Sequence, residues 1–128
     1  MTDNRIWVIR VDAHTKEITG ELQDPSLQNL YKVLKTEMIQ AVRLYSYPNV
    51  YMLMDENARV WCNEERLFFS LDEWVLVNRV VLVGIDSHGD WCSVDLKTSD
   101  IEPRVTFLPI DYIDEPITMK IVEFPNVS

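Results

Sequence analysis

The chain has 128 residues, 47% of them hydrophobic and 26% charged. This globular composition excludes disorder and fibrous repeats and suits one domain over residues 1–128. The formal net charge of −9 is uneven, with −2 over residues 1–64 and −7 over residues 65–128; a field of that sign repels phosphate backbones and anionic lipid, so neither nucleic acid nor membrane is expected as a partner.

Residues 5–12 (RIWVIRVD) are dominated by β-branched and aromatic side chains and read as a first strand. Ile6, Val8 and Arg10 share one face of it, and Trp7, Ile9 and Val11 the other. A polar turn at 12–16 (DAHTK) leads to a short returning strand over 17–22. Asp24 is then expected to cap the main helix, with Pro25 at its first position and Leu27, Leu30, Tyr31 and Leu34 recurring at helical spacing. Residues 37–47 (EMIQAVRLYSY) alternate and read as extended, with a helix as the alternative. A strand over 50–54 meets the turn Asp55 to Ala58, and 59–62 returns from it.

Residues 70–74 (SLDEW) resemble the start of a capped helical turn, because Ser70 has Glu73 three positions on. Residues 79–85 form an apolar strand able to be buried on both faces, followed by the tight reversal DSHGD at 86–90, where Gly89 suits a positive φ. Residues 97–101 offer one more helical turn. The runs RVTFL and ITMKIVEF, interrupted by Pro109 and Pro116, read as edge strands or a strap across the domain. The fold class expected is α+β: a mostly antiparallel sheet with one main helix over about residues 25–35 and one or two short helical turns.

Two units in this order, VYMLMDENARVWCN and RVVLVGIDSHGDWCSVD, each place a Trp–Cys pair just beyond an acidic turn. A distant duplication would produce this, and so would two unrelated hairpins sharing a core. Together with the helix SLQNLYKVL, the extended EMIQAVRLY and the turn at 98–101, they resemble a family of small phage- and plasmid-borne domains of unknown function, catalogued as thirty-eight forty-six. The resemblance covers roughly residues 22–102. Asn57 and Ala58 stand where that family usually has a turn glycine, and Asn63 matches its asparagine. What the resemblance implies is a setting, a virus or mobile element acting inside a bacterial cell, since the family has no established activity.

Chemistry-bearing residues are sparse. Only two histidines, His14 and His88, are present, and neither has zinc-ligand spacing, so no metal and no cofactor are expected. Cys62 and Cys92, with no export signal ahead of them, are expected to be reduced in a cytosol. Asp86, His88 and Asp90 beside Trp91 and Cys92 are the best cluster, acids and an imidazole on a turn able to bind a cation or position a proton shuttle. The commoner arrangement of such a turn has Asp accepting backbone N–H bonds, with His exposed at the tip.

The reading that follows is a non-enzymatic accessory factor in the bacterial host cytoplasm, binding a host protein for takeover or counter-defence. Trp61, Trp74, Trp91, Asp111, Tyr112, Asp114 and Glu115 are its candidate contacts. The alternative is a sponge for a small nucleotide signal, using Arg43, Arg59, Arg66, Arg79, Asp86, His88 and Asp90 in an aromatic pocket completed by a second subunit of a homo-oligomer. A third reading is a hydrolase built on the 86–92 turn.

Overall fold

A computed structural model describes residues 4–58 and 64–112. Strands β1 (Ile6–Asp12), β2 (Glu17–Gln23), β3 (Ile39–Arg43), β4 (Val50–Asp55) and β7 (Arg79–Ile85) form an antiparallel sheet in the order β2-β1-β7-β4-β3, with the short β8 (Trp91–Cys92) added to β7. A second antiparallel sheet has the order β6-β5-β9, from β5 (Phe68–Leu71), β6 (Trp74–Val77) and β9 (Val105–Phe107). The main helix α1 is Leu27–Leu34, and a single turn α2, Thr98–Ile101, runs into a 3-10 turn over Glu102–Arg104. The α+β class expected from the sequence is the observed one.

The first sheet is the middle of three layers. On one face, Ile9, Val11, Met52, Val80 and Leu82 pack with Phe69, Leu71 and Leu76 of the second sheet. On the other, Ile6, Val8, Leu53, Val81 and Val83 pack with Leu30 and Leu34 of α1. Strand β7 therefore feeds both layers, which is why its sequence has no polar alternation. Among the described residues no helix is long and apolar enough to cross a membrane.

Two local expectations are corrected. The helix is capped by Ser26, whose hydroxyl accepts the Asn29 N–H at 3.3 Å; Asp24, two residues earlier, accepts the Ser26 N–H at 2.9 Å and Pro25 precedes the helix. The shift leaves Leu27 exposed, outside the core. Residues 70–74 form no helical turn: Leu71 pairs with Trp74 across a two-residue hairpin turn in which Asp72 has φ 53°. The capping pattern loses there because Phe68, Phe69 and the run Trp74–Val77 gain more by pairing as strands over the core than one isolated helical turn could.

The end of the first sheet is split. Beyond the Ile9–Leu82 pair, residues 91–94 enter between β1 and β7. Gly84 pairs with Cys92 on one side, while on the other the Trp7 N–H donates to Ser93 Oγ at 2.8 Å and the Val94 N–H donates to the Trp7 carbonyl at 2.9 Å. A Cβ on Gly84 would lie 2.7 Å from the Ser93 carbonyl oxygen and 3.0 Å from Cys92 Sγ. Gly84→Ala is therefore expected to destabilise the domain by about 2 kcal/mol, the usual overpacking penalty, read as a lower urea midpoint with an unchanged slope.

Candidate functional site

Two polar places stand out, at opposite ends of β7. The first is an ionic cluster at its start. Arg79 is 4% exposed and its guanidinium meets Glu64 through two hydrogen bonds, Nη1 to Oε1 at 2.5 Å and Nη2 to Oε2 at 3.1 Å, with Nε 3.5 Å from Asp12 Oδ2. Burial works against the Arg79 charge, but Glu64 and Asp12 outweigh it and hold the guanidinium's pKa above its ordinary value. Hydrogen bonding from Arg79 keeps the Glu64 carboxyl below its ordinary value despite partial burial.

Asn78, immediately before Arg79, carries the chain from the second sheet into the first with φ 62°, a conformation asparagine tolerates. Its N–H donates to the Leu67 carbonyl and its own carbonyl accepts the Ala13 N–H, both at 2.7 Å. Its Oδ1 accepts the Leu67 N–H at 2.9 Å and lies 2.8 Å from His14 Nε2. An oxygen already accepting from a backbone N–H assigns the proton to Nε2, which fixes the His14 tautomer. Every group in this cluster is bound to another, so its chemistry is that of a latch between the sheets and the segment before β5.

The second place is an open cleft of about 430 Å³ at the far end of β7. Tyr47, Asn49, Ile85, Cys92, Asp95 and Leu96 are the lining residues that matter. Its Tyr47 wall is braced: Arg104 lies 4.9 Å over the Tyr47 ring, donates to its hydroxyl at 3.1 Å and pairs with Asp72 at 2.8 Å. Ser46 donates to the other oxygen of Asp72 at 2.6 Å. The cleft is thus tied to the hairpin turn of the second sheet. Within it the Cys92 thiol is pushed up in pKa, first by burial and then by the nearby Asp86 charge, so it stays protonated and is a poor nucleophile.

No protein-family model, curated protein or solved structure matches this chain. What the two places can do rests on their own geometry.

The residues singled out from sequence are spread over the molecule. Trp74 packs against the core between the sheets, whereas Trp91 packs on the helix side, tilted at 57° against Tyr51 with centroids 5.8 Å apart. These two tryptophans therefore face opposite layers and share no surface. Tyr112 leans on Phe68 at 5.1 Å with Asp111 exposed beside it. Trp61, Asp114, Glu115 and Arg59 lie outside the described residues, as do the returning strand at 59–62, Asn63 and the run ITMKIVEF.

Among the arginines, Arg43 sits on the edge strand over the Tyr45 ring, Arg66 is exposed ahead of β5, and Arg79 is committed to Glu64. Arg43 and Arg79 stand two strands and four residues apart in the sheet, roughly 16 Å between Cα atoms by standard strand spacings. They do not converge on one anion.

In the 86–90 turn, Asp86 Oδ1 accepts the backbone N–H groups of His88 at 2.9 Å and Asp90 at 3.0 Å, and Gly89 takes φ 84°. The Asp90 N–H is the main reason the Asp86 carboxyl is held low. His88 and Asp90 are exposed at the tip. Among the described residues no group of three or more His, Cys, Asp or Glu is placed to hold a metal ion.

Sequence reading missed Asp12, His14, Glu64 and Asn78 of the latch and Tyr47, Asn49 and Asp95 of the cleft. One signal was available for the latch: Asn78–Arg79 interrupts two apolar runs, and an arginine opening a buried strand needs carboxylates from elsewhere.

Proposed function

We propose that this chain acts by binding, as a non-enzymatic accessory factor of a phage or similar element that captures a host protein in the bacterial cytoplasm, taking a basic side chain of that protein into the cleft. The supporting observation is the cleft's make-up: apolar Ile85 and Leu96, the braced Tyr47 ring and the exposed Asp95 all line it, in a chain of net charge −9. A lysine or arginine would lay its methylene stem on the apolar floor and set its cation against Asp95, with Asp86 and Asp90 on the adjoining turn adding attraction. Of the groups that a catalytic reading of the 86–92 turn would use, Asp86 is committed to its own turn and the Cys92 thiol to its protonated form, while His88 and Asp90 stand exposed at the tip. The setting rests on the resemblance to phage- and plasmid-borne domains read from the sequence of residues 22–102.

The experiment is a pull-down from bacterial lysate with the wild-type chain, Asp95→Lys and Asp111→Asn. Recovery of a specific partner is expected to fall about tenfold or more with Asp95→Lys and to persist with Asp111→Asn, and to weaken with added salt. Equal recovery by all three proteins would reject the cleft as the contact. Calorimetric binding of a cyclic or linear nucleotide, with no protein partner, would replace this reading by the sponge.

A further inference from the structure

We infer that the exposed edge of β3 pairs with the β3 edge of a second copy of this chain across a two-fold axis at Ala41, joining the two first sheets into one. Strand β3 ends the sheet order, and among the described residues nothing pairs with its outer side. The direction of its free backbone groups follows from its two flanking bonds: the Leu44 N–H donates to the Val50 carbonyl at 2.9 Å, and the Met38 carbonyl accepts the Glu56 N–H at 3.0 Å. Even-numbered residues therefore turn their polar groups toward β4, and by alternation Ile39, Ala41 and Arg43 turn theirs outward.

An antiparallel pairing centred on Ala41 sets Ala41 against Ala41 and Ile39 against Arg43 of the second copy. All three outward residues then meet outward residues, giving about six backbone hydrogen bonds. No other centre within the strand uses every outward group.

Charge selects the same occupant. The exposed Glu37, in the bend just before Ile39, approaches Arg43 of the other copy, which stands opposite Ile39, and the two-fold axis makes that approach twice. Gln40, Ala41 and Arg43 are exposed, as is Glu37, and the edge is flanked by Met38 at 51% and Tyr45 at 73% exposure. The strand has no proline, lysine or inward charge of the kind that protects a free edge. The opposite edge, β2, differs: it carries Glu17, Gly20 and Glu21. A contact of this size belongs to the small, exchanging class of interfaces, so the dimer is expected to dissociate in the micromolar range.

Sedimentation from low micromolar to millimolar concentration tests it. Wild type is expected to pass from monomer to dimer. Ala41→Pro, which removes an outward N–H and leaves the pairing with β4 intact, should stay monomeric. Arg43→Glu should raise the dissociation constant about tenfold or more by setting an acid near Glu37 of the other copy, twice per dimer, and Arg43→Glu combined with Glu37→Arg should restore it whether or not the proline variant folds. In a Cys62→Ser, Cys92→Ser background, Ala41→Cys should oxidise to a covalent dimer, because hydrogen-bonded antiparallel partners stand about 5.5 Å apart between Cα atoms. A monomer at every concentration would overturn the inference. So would a dimer indifferent to the charge reversal and unable to cross-link at position 41.

Discussion

Replacing Phe69 with alanine is expected to destabilise the domain by about 4 kcal/mol, the largest effect of any single truncation proposed for this chain. Phe69 is fully buried on β5, tilts against Phe107 of β9 at 6.1 Å, and belongs to the cluster that joins the second sheet to β1, β4 and β7. Its removal leaves a cavity bounded by two sheets, each hydrogen-bonded internally, so the walls relax little. Thermal unfolding should move down by about 15 °C. Tyr45→Ala, at a residue 73% exposed, is the control and should change stability by no more than about 0.5 kcal/mol. Equal effects at the two positions would mean that the layers do not share a core.

Glu64→Ala is expected to cost about 3 kcal/mol or more, because it strands a guanidinium that is 4% exposed and leaves it, among the described residues, the 3.5 Å contact to Asp12. The same group predicts an acid limb. The Glu64 carboxyl is held below its ordinary value of 4.5 in the folded chain, so its contribution is complete above that pH and is lost as pH falls through the lowered value. Stability measured by denaturant from pH 6 to pH 2 should show this loss in wild type, and that part of the slope should be missing in Glu64→Ala. Arg79, whose pKa Glu64 and Asp12 hold above its ordinary value, stays charged throughout and adds no slope of its own in this window. A variant as stable as wild type at pH 7 would show that the latch is dispensable.

The layers were legible where a side-chain pattern had one reading. The six apolar residues after Arg79 read as a strand able to be buried on both faces, and Met38 to Leu44 alternated as a strand at a sheet edge does. The 70–74 segment misled because Ser-x-x-Glu is a local signal, whereas the second sheet that decides its conformation is assembled from β5, β6 and β9, over thirty positions of chain. The helix start was misplaced by two residues because Asp24 and Ser26 are both good caps, and only packing of Leu30 and Leu34 sets which is used. The cleft had no sequence signature at all. Its walls come from 47–50, 84–85 and 92–96, and what brings them together is the wedge of residues 91–94 between β1 and β7. Similarly, the latch joins Asp12, Glu64 and Arg79, residues up to 67 positions apart.

The central strand carries one more implication. Val80, Val81, Leu82 and Val83 are apolar toward both layers, so a one-residue slip of β7 would exchange one oily face for another and lose almost nothing in the middle. Hydrophobicity, which normally forbids such slippage, is silent here. The alignment is instead set by the two ends: among the described residues the carboxylates of Glu64 and Asp12 meet Arg79 at one position, and Gly84 is the one residue of β7 bare enough to lie under the Ser93 carbonyl. The strand is thus positioned like a ruler pinned at its first and sixth marks, with the interchangeable residues between them free to drift in evolution as long as both pins stay.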